Sequence, residues 1–169
     1  MTREFPEPSA STDAKALFLD YLYYYRETIA ENVNGLSGED LRATRLPSGW
    51  SPLELVKHLV FMERRWLVWG FAGEDVPDPW GDHHDERWHV GHDESLPDLL
   101  SQLHEGGVRT RSIVESAELT TPAPPGPRFD SAKEPPSLVA ILFHVLQEYA
   151  RPAGHLDIAR KLVDGQAGE

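Results

Sequence analysis

Four side chains of this sequence have the type and spacing for metal or acid–base chemistry: His58 in "SPLELVKHLVFMERRW", and His144, Glu148 and His155 in "LFHVLQEYARPAGHLDIAR". Steps of four and seven return to nearly the same face of a helix, so the last three share one stripe with apolar neighbours. His58 falls on the edge of another apolar stripe, beside Leu55. A carboxylate on such a stripe is costly to bury unless it is paired or bound to a metal, which makes Glu148 the most informative of the set. Imidazole nitrogens and a carboxylate are donors that divalent metals accept. An ion with open positions lowers the pKa of a bound thiol or water and turns it toward an electrophile. Without an ion, Glu148 is expected to pair with His58 or with an arginine.

Other constellations carry less. "WGDHHDERWHVGHDE" sets His83, His84, His89 and His92 beside acids, but in a loop and at a spacing that matches no closed zinc pattern. Trp80 and Trp88 in that segment read as a plug for one end of the fold or as an interface. The chain has no cysteine, which excludes disulfides and thiolate zinc sites. Its few serines sit where caps and loops are expected, so no nucleophilic triad is indicated. "HEGGVRT" lacks the strand and the spacing of a phosphate cradle. A net charge of -12 argues against a nucleic-acid partner, which needs a clustered basic surface. No run approaches the roughly 18 apolar residues of a membrane span, and "MTREFPEPSAST" has no apolar core of a signal peptide. These features point to a soluble, cytoplasmic protein that meets a small-molecule substrate, with no membrane or nucleic-acid partner.

The elements that must position these residues are helices. Phe18, Leu22, Tyr25, Ile29 and Val33 recur at spacings of three and four, with Ser11 or Thr12 as the expected cap and Asn34-Gly35 as the stop. "LSGEDL" suggests a short helical turn. Ser51, Pro52 and Glu54 form the start signal of a second helix, whose apolar stripe is Leu55, Leu59, Met62, Trp66 and Trp69. Glu54, Lys57, Arg64 and Arg65 fall on its polar side. Ser95 opens a third helix through Leu99, Leu103, Ile113 and Val114, interrupted by the unfavourable Gly106-Gly107 pair. A fourth, from near Pro136 to about Val163, carries Leu138, Ile141, Leu142, Val145, Tyr149, Leu156 and Ala159. Four long helices without a convincing strand imply an all-α fold, an antiparallel four-helix bundle with long second and third connections. The chain reads as one domain over 1–169, with its core at about 12–163 and loose tails at 1–11 and 164–169. The aromatic run "DYLYYY" is expected in the core and at a dimer contact.

"PSGWSPLELVKHLVFMERRWLVWGFAGEDV" together with "LFHVLQEYARPAGHLDIAR" resembles the DinB/YfiT-like superfamily, in particular its DUF664 branch, over nearly the whole chain. The resemblance implies a bundle that is often a homodimer. It also implies a divalent metal, commonly zinc or nickel, held by one helix-two histidine and two helix-four ligands four residues apart. Relatives include thiol S-transferases and a mycothiol-dependent maleylpyruvate isomerase, so a low-molecular-weight thiol such as mycothiol is the implied co-substrate. Carried onto this chain, the ligands are His58 and Glu148, and the third position is Pro152, which has no donor atom. Proline there also clashes with the carbonyl of Glu148, four residues before it. His155 stands about 10 Å along a regular helix from Glu148, more than one ion spans unless a kink brings it in. His144, about 6 Å away, is better spaced, although related sequences tend to carry a histidine near it beside the usual triad. Two functions therefore stand open: a metal-dependent transferase or isomerase acting through His58, Glu148 and His144 or His155, or a metal-free bundle that binds a small molecule or serves as a structural dimer. Approach of Glu148 and His58 to shared-ligand distance, with a metal or a water expected between them, favours the first, and pairing of Glu148 with an arginine the second.

Overall fold

The computed structural model describes residues 6, 10–45, 49–129 and 134–165. Of the expected tails, all but Pro6, Ala10, Ser11, Asp164 and Gly165 lie outside the described residues. The fold is all-α, as the periodicity implied. Helix α1 spans Ala14–Val33, a short α2 spans Gly38–Arg42, α3 spans Pro52–Glu63, α4 spans Leu96–Ser116 and α5 spans Leu138–Asp164. The four long helices close a ring in the order α1, α4, α3, α5, with α1 and α3 touching more weakly across the middle. Leu22, Ile29, Val56, Leu59, Val114, Leu142, Val145 and Tyr149 fill the shared core and are inaccessible to solvent.

Local chemistry accounts for the helix boundaries. Ser51 accepts from the Glu54 backbone while the Glu54 carboxylate accepts from the Ser51 backbone, a closed capping box with Pro52 behind it. Ser37 and Ser95 cap α2 and α4 through side-chain oxygens. The cap of α1 is Asp13 rather than Ser11 or Thr12; its carboxylate accepts from Ala16. Gly106-Gly107 does not interrupt α4. A Cβ at Gly107 would stand 2.9 Å from Nε of Arg26, so the missing side chain admits a guanidinium between α1 and α4.

Two features were not legible. After Glu63 the second helix continues as a π-helical stretch, Arg64–Phe71, in which the Ala72 amide donates to the carbonyl of Leu67, five residues back. The wider turn re-aims the side chains that follow it. The polar side assigned to this helix is corrected at two positions. Arg65 is buried, and so is Lys57, whose ammonium reaches Glu94 at 2.7 Å. The connection after the π-helical stretch carries a two-stranded hairpin, β1 (His83–His84) and β2 (Arg87–Trp88). Its turn residues Asp85 and Glu86 both have positive φ, at 48° and 62°, as a two-residue hairpin turn of matching twist requires.

Candidate functional site

His58 is delivered by the fixed start of α3 and is 5% exposed. Its Nε2 lies 3.2 Å from Oε2 of Glu148 on α5, and its Nδ1 lies 3.3 Å from Oδ2 of Asp82 in the connection after the π-helical stretch. Asp82 is itself buried and clamped by Arg65, which donates from Nη1 at 2.6 Å and from Nη2 at 3.1 Å. Arg65 also donates to the carbonyl of Pro79 and lies over the Trp80 ring. The result is a continuous chain of charge: Arg65, Asp82, His58, Glu148. His144 closes on the other oxygen of Glu148 at 3.6 Å. The hairpin sets Trp88 against His58 with ring centroids 4.0 Å apart, and Trp50 packs on both Trp88 and His58.

These surroundings set the protonation states. Burial favours the neutral imidazole of His58, but its bonds to Asp82 and Glu148 outweigh burial and raise its pKa. Burial also opposes ionisation of Asp82; hydrogen bonds from His58 and Arg65 overcome it and hold the carboxyl below its ordinary range. The His58 hydrogen bond lowers the pKa of Glu148 against the pull of desolvation, with His144 and Arg151 adding to it. Each group thus favours the charged form of the next.

Of the residues singled out from the sequence, the fold brings together His58, Glu148 and His144. His155 stands apart, its ring 6.2 Å from that of Trp50. The helix runs through Pro152, as its expected span to about Val163 required. His83, His84, His89 and His92 are all exposed. Their segment reaches the site through Asp82 and Trp88 instead. Sequence reasoning missed Asp82 and Arg65. The one signal for Asp82 was an acid beside histidines, and the one signal for Arg65 was its place seven residues after His58, two turns along nearly the same helix face.

A metal ion finds only part of a donor set here. Two ligands of one ion stand about 3 Å apart when each bond is about 2 Å, and His58 Nε2 and Glu148 Oε2 satisfy that. The carboxylate behind Nδ1 is also what metal-bound histidines have. Pro152, however, supplies no donor, and among the described residues no group of three or more His, Cys, Asp or Glu is arranged to hold an ion. The residues present do not fit a closed resident metal site. They do fit a buried imidazole poised between two carboxylates, which can take up, hold and return a proton.

Among the described residues no helix is long and apolar enough to cross a membrane. A model of the family described as mycothiol-S-transferase matches residues 17–165. No curated protein matches the chain. Among solved structures, the crystal structure of a conserved protein from Enterococcus faecalis superposes with a TM-score of 0.64 at 15% identity, covering 92% of this chain and 100% of that one. At that identity the likeness concerns the fold alone.

Proposed function

This chain belongs to the mycothiol-S-transferase family, the DinB/YfiT-like group that its sequence resembles, and from that premise we propose that His58 and Glu148 are the reacting pair of a thiol transferase. The observation that carries the reading is the placement of His58 Nε2, facing Glu148 at 3.2 Å while Nδ1 is committed to a buried carboxylate. Among the described residues Glu148 pairs with His58 and His144, which supports the reading over one in which an arginine takes the carboxylate. Asp82 fixes the ring and its tautomer, and Arg65 fixes Asp82. The co-substrate is a low-molecular-weight thiol such as mycothiol, and the second substrate a small electrophile. The thiol S–H bond breaks, its proton passes to Nε2 of His58, and the imidazolium beside the sulfur stabilises the thiolate. The sulfur lone pair then forms the C–S bond. In a displacement the leaving group departs with the bonding pair; in an addition the adjacent carbon takes the proton back.

The reading is tested by thiol consumption with mycothiol and monobromobimane, against His58→Ala and Glu148→Gln. Loss of the base is expected to cost ~10²–10⁴-fold in kcat. A wild-type rate equal to the uncatalysed one, or a His58→Ala rate equal to wild type, refutes it.

The donor spacing of His58 and Glu148 favours a second reading, in which zinc or nickel is held between them with His144 as the further ligand. Elemental analysis of untagged protein separates the two. About one ion per chain, lost in His58→Ala, supports the metal, and an active protein free of it supports the imidazole alone.

A further inference from the structure

A second charged group faces this region. In the connection before α5, the Phe129 amide donates to the carbonyl of Gly126 at 3.1 Å, and the Gly126 amide donates back to Phe129 at 3.2 Å. This closed turn holds Arg128 near its tip. The guanidinium carbon lies 4.4 Å from the ring centre of Trp66, 5.6 Å from those of Trp69 and Trp80, and 5.8 Å from that of Phe129. Gly70 lets the turn approach: a Cβ there would stand 3.3 Å from the Phe129 ring. The cage stands beside the reacting pair, because Trp66 also stacks on His144, with centroids 4.4 Å apart, and His144 touches Glu148.

What the cage lacks, among the described residues, is an anion. Among the described residues Arg128 has no carboxylate and no hydrogen-bond acceptor, and its Nε is buried without a partner. Its neighbour Arg65 is neutralised by Asp82; Arg128 is not. Aromatic faces hold a guanidinium in place but leave its N–H donors unsatisfied. A leucine or methionine would fill the same cage without stranding a charge. We propose that Arg128 receives the carboxylate of the electrophilic substrate, whose apolar body lies against Trp66 and Trp80. A guanidinium fork matches a planar carboxylate in two parallel hydrogen bonds. One uncompensated cation with aromatic walls suits a monoanion bearing an apolar group better than a multiply charged phosphate. On a chain of net charge -12, a local cation is needed for any acidic substrate to approach.

The location of the reaction rests on the function proposed for His58 and Glu148; the binding of the anion does not. The test is therefore a titration followed by tryptophan fluorescence, excited at a wavelength where the probes do not absorb. Benzoate, its neutral isostere benzamide and inorganic phosphate are compared on wild type, Arg128→Gln and Arg128→Lys. Saturable quenching by benzoate, absent with benzamide and weakened ~10–100-fold in Arg128→Gln, is the expected result. Arg128→Lys, which keeps the charge without the fork, is expected to bind at an intermediate strength and serves if Arg128→Gln does not fold. Equal quenching by benzoate and benzamide, no quenching by benzoate, or undiminished benzoate binding in both variants overturns the proposal. So does phosphate that binds more tightly than benzoate. In the transferase assay, a carboxylate-bearing electrophile is expected to lose ~10–100-fold in kcat/KM in Arg128→Gln, and its methyl ester markedly less. Benzoate binding by a protein without transferase activity leaves the anion site standing and removes the catalytic reading.

Discussion

Asp82→Asn separates the two things that Asp82 does. Its side chain is fully buried and takes a two-pronged hydrogen bond from Arg65, whose side chain is 4% exposed. An amide in its place offers one acceptor instead of two and turns a donor toward either Arg65 or His58. Breaking a buried pair from one side costs about 3–5 kcal/mol, because a charge remains without its counterion. Arg65 keeps the Pro79 carbonyl at 3.0 Å and the Trp80 face at 4.3 Å, which places the cost near ~3 kcal/mol. For a chain of this size that is a fall in Tm of roughly 6–12 °C. Replacing Arg65 by Met in the same protein removes the stranded charge, and most of the lost stability is expected to return.

The second effect does not return. His58 loses one of the two carboxylates that hold its pKa up, so its titration moves to lower pH, as followed by ring-proton NMR. Because the free enzyme must carry neutral His58 to accept the thiol proton, the acid limb of kcat/KM moves down with it. The ring also loses the acceptor on Nδ1 that fixes its tautomer, and kcat falls ~10²–10⁴-fold at every pH. Melting by scanning fluorimetry and the pH profile of kcat/KM are measured on Asp82→Asn alone and combined with Arg65→Met. An acid limb that stays in place or moves up, or an activity that recovers together with Tm, refutes the assignment of Asp82 to positioning His58.

Glu63→Gln is expected to destabilise by about 3–5 kcal/mol in urea titration, since Glu63 accepts from Arg26, Thr110 and Tyr149 in the middle of the ring of helices and Arg26 would be left buried; a loss below about 1 kcal/mol would mean that the network is not the clamp it looks. Glu86→Gly relieves a left-handed backbone at the hairpin turn and is expected to stabilise by about 0.5–1 kcal/mol with no change in kcat. Pro152→His returns a donor four residues after Glu148, and is expected to raise bound zinc to about one ion per chain from well below that in wild type. Stability should peak between roughly pH 4 and 6.5. Above that window the contribution of His58 is lost as pH rises through its raised pKa, and below it the contributions of Asp82 and Glu148 are lost as pH falls through their lowered ones. A urea midpoint that climbs steadily from pH 5 to 9 would contradict this.

The helical frame was legible because capping and periodicity act locally. Ser51, Pro52 and Glu54 announce α3 in four residues, and the apolar stripe of α5 survives even a proline. His58, Glu148 and His144 were legible for the same reason: each is a polar residue at a position where the period demands an apolar one. Arg65 and Asp82 were not: Arg65 shares the face of His58 two turns on, but an arginine at the edge of a stripe reads as solvated until the acid that buries it is known. A π-helical stretch adds a residue per turn without a composition signal, and after it every inference about facing is rotated. Asp82 sits 24 residues from His58 in a segment with no period at all. Arg128 was invisible likewise: it lies in a proline-rich connection, and only the fold shows that three tryptophans from the preceding helix and loop converge on it beside Phe129.

The same reasoning bears on Pro152. A histidine with Nδ1 bound to a carboxylate serves a metal ion or a proton equally well, and the donors facing Nε2 decide between them. Three donors hold an ion; one carboxylate holds an imidazolium. Among the described residues Glu148 alone meets Nε2, and the residue one turn later has no donor to offer. Proline inside a helix usually breaks it, yet Pro152 and Ala153 are buried and α5 packs closely along α1, so tertiary contacts hold the helix through the lost hydrogen bond. The backbone that presents Glu148 is thereby kept while the adjoining ligand position is empty of chemistry. Such a change alters the reacting group without moving the helices, and it predicts that catalysis here follows the titration of His58 rather than the supply of zinc or nickel.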